Sequence, residues 1–187
     1  MITPDFATHY YMAEHGPFRS LSDLPLGADD PVFQHLLTRH QHDGSYRRRY
    51  GRDYIAKRRV IEAQLRDLFI ARGGKPRRNN PFYMVLGSSP WFGGLNDGHQ
   101  SLQIALSQLD PATTSLTFPD SFIALTREDK PYFKQIFLLD EVAGLTGQFG
   151  VPSEPVPASY ERYWESDFEF YVEIQLWDEP HGLITGA

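Results

Sequence analysis

Apolar positions follow a helical period over one long segment, and a two-residue or unbroken pattern over several short ones further along the chain. From about Arg52 to Arg72, Tyr54, Ile61, Leu65, Leu68 and Phe69 recur at spacings of three, four and seven, forming one apolar stripe. Gly73-Gly74 supplies a stop, Arg72 sits at the negative end of the helix dipole, and Glu62 and Arg66 are spaced to pair on the exposed face. Upstream, Pro31 to His40 reads as a shorter helix with Pro at its first position and Val32, Leu36 and Leu37 as its apolar residues, broken at Asp43-Gly44. His9 to Met12 reads as a short strand, ended by Gly16-Pro17 and followed by a turn or helix start at Ser20 to Asp23.

After Pro81 the pattern shortens. Phe82 to Leu86 is an unbroken apolar run of the kind that fills a central strand, and it ends at Gly87. Further strands are expected near Leu102–Leu106, Ser115–Phe118, Phe122–Leu125 and Tyr132–Leu138, then a short helix over Leu139 to Gln148 with Asp140 as its N-cap and Gly150 as its stop. Three prolines mark Val151 to Ala158 as an extended connector. From Asp167 to Trp177 polarity alternates, with Phe168, Phe170, Val172, Ile174 and Leu176 on one side and Asp167, Glu169, Glu173 and Trp177 on the other. This predicts a half-buried strand with an acidic outer face. Helices early and strands late predict an α+β fold, with N-terminal helices packed on a largely antiparallel sheet in a single domain. Residues 1–150 form its core, and residues 151–187 add the connector and acidic strand, within the same domain or as an oligomer contact.

Composition narrows the class. A chain of 187 residues, 41% apolar and 14% aromatic, suits one globular domain. The absence of cysteine removes disulfides, thiolate metal sites and a cysteine nucleophile, and fits a reducing compartment. Met1 to Tyr11 has no basic stretch followed by an apolar run, and no stretch reaches eighteen apolar residues, so a cytoplasmic protein without a membrane span is expected. His35, His40 and His42 miss the spacing of a helical ligand pair and no HExxH occurs, so no metal site is expected. The loop after Gly87 exposes Ser88, Ser89, Trp91 and Phe92, but GxSxG, GxxxxGK[ST] and GxGxxG are all missing, and no cofactor is implied.

Charge is distributed very unevenly. Between Tyr46 and Arg78 lie twelve of the eighteen basic residues and only three acids, in a chain whose net charge is −6. Such a field attracts phosphate, so Arg47, Arg48, Arg77 and Arg78 in the segments flanking the helix are candidate anion ligands, with Trp91 beside them. The competing reading neutralises them on the acidic C-terminal strand, within the chain or across a homodimer. Arg58 is distinct because it falls on the apolar stripe, where its guanidinium must meet a carboxylate, a carbonyl or a ligand anion. Overall acidity disfavours a dedicated nucleic-acid binder. Asp120, in the turn Thr117 to Phe122, is a candidate general base or a group bonded within its own turn, and His9 is the other candidate for proton transfer.

The run Glu14 to Pro25, with Lys57-Arg58-Arg59, Glu62, Phe69, Gly73 to Pro76 and Tyr83 to Gly87, resembles a family of uncharacterised bacterial proteins, which implies no activity. A looser likeness, carried by His9-Tyr10, is to the ADP-ribosyltransferase fold, where a strand-borne histidine would hold a nicotinamide dinucleotide. The expectation that emerges is binding of an anionic, phosphate-containing ligand or nucleotide through the arginine-rich helix and its flanking loops. The alternatives are an assembly protein whose basic segment docks on an acidic surface, and an ADP-ribosyltransferase-like enzyme.

Overall fold

The computed structural model describes residues 2–24, 29–44, 46–152, 160 and 163–183, so most of the Val151–Ala158 connector lies outside the described residues. It is an α+β fold built on a six-stranded antiparallel sheet of order β3-β1-β2-β6-β4-β5. The strands are β1 (Phe6–Met12), β2 (Phe82–Leu86), β3 (His99–Ala105), β4 (Thr114–Thr117), β5 (Phe137–Leu138) and β6 (Glu173–Leu176). The last strand in sequence lies inside the sheet, pairing Met84 with Ile174 on one side and Leu116 with Ile174 on the other. The helices are α1 (Pro31–His42), α2 (Tyr54–Ala71), α3 (Pro90–Gly93), α4 (Ser121–Thr126) and α5 (Val142–Phe149). Among the described residues no helix is long and apolar enough to cross a membrane.

One face of the sheet is apolar. Ala7, Phe82, Met84, Leu86, Ile104, Leu116, Ile174 and Leu176 pack there with Phe118, Tyr132 and Leu145, so that α5 lies over this side. The opposite face is buried as well but largely polar, carrying Thr8, Ser115, Thr117, Glu173 and Gln175. Hydrogen bonds make that possible. Trp177 Nε1 donates to Ser115 Oγ at 2.8 Å, Ser115 Oγ to Gln175 Oε1 at 2.8 Å, and Gln175 Nε2 to Thr117 Oγ1 at 2.9 Å and Glu173 Oε1 at 3.0 Å. Each partner spares the others an uncompensated desolvation.

Helix α2 closes part of this polar side through Ile61, Leu65 and Phe69, which meet Leu125, Ile136 and Trp177. Its stripe therefore faces inward as its spacing predicts. It ends where Gly73 takes φ of +92° and Gly74 donates to Phe69 O at 2.9 Å. A Cβ on Gly74 would lie 2.4 Å from the Phe69 ring, so the close approach of chain to ring requires glycine here. Helix α1 joins through Phe33 and Leu37, packed on Ile55 and Tyr54.

Several expectations change. Phe122–Leu125 is helix, not strand, because Asp120 Oδ1 accepts from Ile123 N at 2.9 Å and caps α4. Of Tyr132–Leu138 only Phe137–Leu138 pairs as strand; Tyr132 instead turns inward and donates its hydroxyl to Glu169 Oε1 at 2.8 Å. Asp140 belongs to a 3-10 turn rather than capping α5, whose N-cap is Glu141. The Asp167–Trp177 strand shrinks to Glu173–Leu176, and its polar side is not solvent-facing, since residues 171–177 are all buried. Glu62 does not pair with Arg66 on the surface; it is fully buried and bonds Arg58.

Candidate anion-binding site

The arginines of the basic window divide by what they meet. Arg58 is half-buried at the sheet face of α2, where Nε donates to Glu62 Oε1 at 2.9 Å and Ser22 Oγ at 3.0 Å, and Nη1 to Tyr54 Oη at 2.6 Å. Its guanidinium also covers the Tyr83 ring at 4.6 Å, and Tyr83 Oη donates to the same Glu62 oxygen at 2.9 Å. The arginine on the apolar stripe has thus found an internal carboxylate one helical turn away, and its charge is spent on the scaffold.

The loop arginines are paired too. Arg47 donates to Gly94 O at 2.5 Å and Asp97 Oδ1 at 2.8 Å. Arg77 meets Asp178 at 2.8 Å. Arg78 bonds Asp23 at 2.5 Å, Glu179 and Asn80 O, and lies 4.0 Å over the Phe82 ring. Asp178 and Glu179 directly follow the C-terminal strand segment, which supplies these counter-charges within the chain. Asp167 and Glu169 go elsewhere, to Arg127 and Lys130.

Arg48 differs. It is half-buried, with its guanidinium 5.2 Å from the Tyr50 ring centre and 5.8 Å from that of Phe92, and it makes no hydrogen bond or ion pair among the described residues. Phenols surround it: Tyr50, Tyr54, Tyr163 and Tyr46 are its electrostatic neighbours. Its positive field also reaches Asp120, Tyr171 and His99. A guanidinium remains charged throughout the physiological range, so aromatic faces stabilise this cation without neutralising it.

Two carboxyls are buried at the start of α4. Asp120 is 7% exposed and Glu173 8%, and Glu173 Oε1 accepts from Ser121 N at 3.1 Å, so both are tied to the first turn of α4. Burial, then the charge of Glu173, pushes Asp120 up to about 7; burial also raises Glu173. Like charges in a dry site oppose full ionisation of the pair. Tyr171 stands beside them, 8% exposed, with no hydrogen bond to its hydroxyl among the described residues. A cavity of about 10 Å³, lined by Tyr10, Tyr83, Phe92, Tyr171 and Glu173 among others, has room for about one water.

Two of the residues expected from sequence are structural. His9 is buried, its Nδ1 donating to Tyr83 O at 2.8 Å and its Nε2 accepting from Phe18 N at 2.8 Å, so neither nitrogen is left for a proton-transfer partner or a dinucleotide. Burial lowers it to about 4, which keeps it neutral. Trp91 is 2% exposed and packed among Tyr163, Phe168, Phe170 and Tyr171, so it cannot stack on a ligand; it is the centre of an aromatic cluster. Asp120, which feels the Arg48 charge, and Arg48 itself are the candidates that are left. Glu173, Tyr171 and Tyr163 went unassigned, because strand alternation placed Glu173 in solvent and nothing local marked the tyrosines.

A wider groove of about 290 Å³ lies between the end of α2 and residues 134–137, but its arginine, Arg72, is engaged by Ile136 O and Glu141. Among the described residues no group of three or more histidines and acids is placed to hold a metal. Comparison with known proteins adds no family to this description: no family model, no curated protein and no solved structure matches the chain.

Proposed function

We propose that the protein binds a small anionic, phosphate-class ligand at Arg48. The observation carrying this reading is that Arg48 is enclosed by phenols and carries no acceptor among the described residues, whereas Arg47, Arg58, Arg77 and Arg78 each have a carboxylate. A half-buried cation without a counter-charge costs desolvation that a bound anion would offset. Asp120, which feels this charge, compensates only in part, since burial opposes its ionisation. The ligand site is therefore narrower than the basic window as a whole, and the charges of α2 and its flanking loops support folding.

Calorimetric titration with inorganic phosphate at low and moderate salt tests this. Charge-assisted hydrogen bonds contribute about 1.5–3 kcal/mol, so Arg48→Met is expected to weaken phosphate binding by roughly tenfold or more. The double variant Arg77→Met/Arg78→Met is expected to bind as the parent does. Phosphate binding undiminished in Arg48→Met, or no binding by the parent at millimolar phosphate, would refute the assignment.

A further inference from the structure

The two edges of the sheet are built differently. At one, β5 is only two residues long, Phe137–Leu138, which leaves little strand for another chain to pair with. At the other, β3 is seven residues long and pairs with β1 over its whole length without a bulge. The direction of its backbone groups follows from the register. Leu106 N donates to Asp5 O at 2.8 Å, and counting in twos from that rung turns the backbone groups of Gln100, Leu102 and Ile104 toward β1. Those of His99, Ser101, Gln103 and Ala105 therefore point outward. The amides at the two ends are spent within the chain, His99 N on Asn96 O at 3.3 Å and Ala105 N on Gln108 Oε1 at 3.2 Å. Between them Ser101 and Gln103 are exposed, with both amides and both carbonyls unpaired among the described residues.

We propose that β3 is the contact surface for a second copy of this chain, whose own β3 pairs with it antiparallel about a two-fold axis at Leu102. In this register Ser101 of each copy exchanges both backbone hydrogen bonds with Gln103 of the other, so every open group on the edge is satisfied. Pairing stops there, because the next outward amides are already capped by Asn96 and Gln108. The same register sets Leu102 against Leu102 of the second copy. This leucine is only partly buried beside the apolar core, and the contact carries that core across the axis. Charge points to the same occupant. From Gly98 to Leu109 the chain has no Asp, Glu, Lys or Arg, although the whole carries −6, so two copies meet here without opposing like charges. Lysine, proline and bulges are the devices that keep an edge strand single, and β3 has none of them. No charged group takes part, so the contact does not depend on the anion reading.

Sedimentation equilibrium of the full chain, from micromolar to near-millimolar concentration, tests this. The parent is expected to pass from monomer to dimer over that range, and no less readily at high salt, since no ion pair forms the contact. Gln103→Pro removes only an outward amide, so it should keep the fold, as thermal melts check, and dimerise roughly tenfold or more weakly. If that variant fails to fold, Gln103→Lys, which puts a charge on the same exposed rung, is measured in its place and should weaken dimerisation likewise. The chain has no cysteine of its own, so crosslinking reads the register. Leu102→Cys should oxidise to a disulfide-linked dimer, whereas Ala105→Cys, distant from its counterpart across the axis, should not. A parent that stays monomeric throughout, a folded edge variant that dimerises as the parent does, or crosslinking through Ala105→Cys rather than Leu102→Cys overturns the proposal. A dimer that dissociates on adding salt also overturns it, and assigns the contact to the basic window instead.

Discussion

Replacing Asp120 with Asn should make the protein more stable at alkaline pH. Asp120 is buried beside Glu173, and its carboxyl moves from an ordinary 3.8 to about 7, chiefly through burial and then through the Glu173 charge. A folded-state value above the unfolded one means that the native protein binds more protons between pH 3.8 and 7. The associated stability is complete below pH 3.8 and is lost as pH rises through 7. At 1.36 kcal/mol for each tenfold change in proton affinity, the ceiling of that loss is about 4 kcal/mol. Water that reaches an ionised pair screens it, so roughly 2 kcal/mol is the expected loss. Asn cannot ionise and still accepts the Ile123 N–H, so the variant escapes the loss and keeps the cap. Urea unfolding of both proteins, followed by the fluorescence of buried Trp91 and Trp177, reads the difference directly. Near pH 4 the two should agree closely, and by pH 8 the variant should be ahead by about 2 kcal/mol. Equal stabilities at pH 8, or a gap that does not vary with pH, would refute the account of the carboxyl pair.

Two further outcomes follow from the scaffold. Arg58→Met leaves Glu62 buried beside an apolar side chain, and should cost about 3–5 kcal/mol of unfolding free energy, most of which Glu62→Gln in the same chain should restore. His9, lowered from 6.5 to about 4, should remain neutral in an NMR titration down to about pH 4. Because the unfolded chain takes up that proton first, stability should fall as pH drops from 6.5 toward 4, by up to about 3 kcal/mol.

The long helix was legible because its packing follows from one period: Ile61, Leu65 and Phe69 are buried where the spacing puts them. Strand β2 was legible because an unbroken apolar run suits a strand covered on both sides. The error at Phe122–Leu125 had a local remedy, since Asp120 followed by Ser121 is a capping signal that an apolar run of four concealed. The error over Glu173 had none. Alternating polarity reports two chemically different faces, and it reports exposure only where one face meets water. Here β6 lies between β2 and β4, with α2 and α4 over its polar side, so alternation became an internal hydrogen-bond network instead of an acidic surface.

The candidate site divides in the same way. Sequence alone determined that positive charge crowds around one helix, that Arg58 breaks an apolar stripe, and that the chain builds an α+β domain, because periodicity and composition are properties of neighbours along the backbone. Only the tertiary structure decided which arginine is unspent. It paired Arg58 with Glu62, tied Arg77 and Arg78 to Asp178 and Glu179, and left Arg48 among phenols. Counter-charges come from residues distant in sequence, so whether a charge is neutralised depends on which segments the sheet brings together.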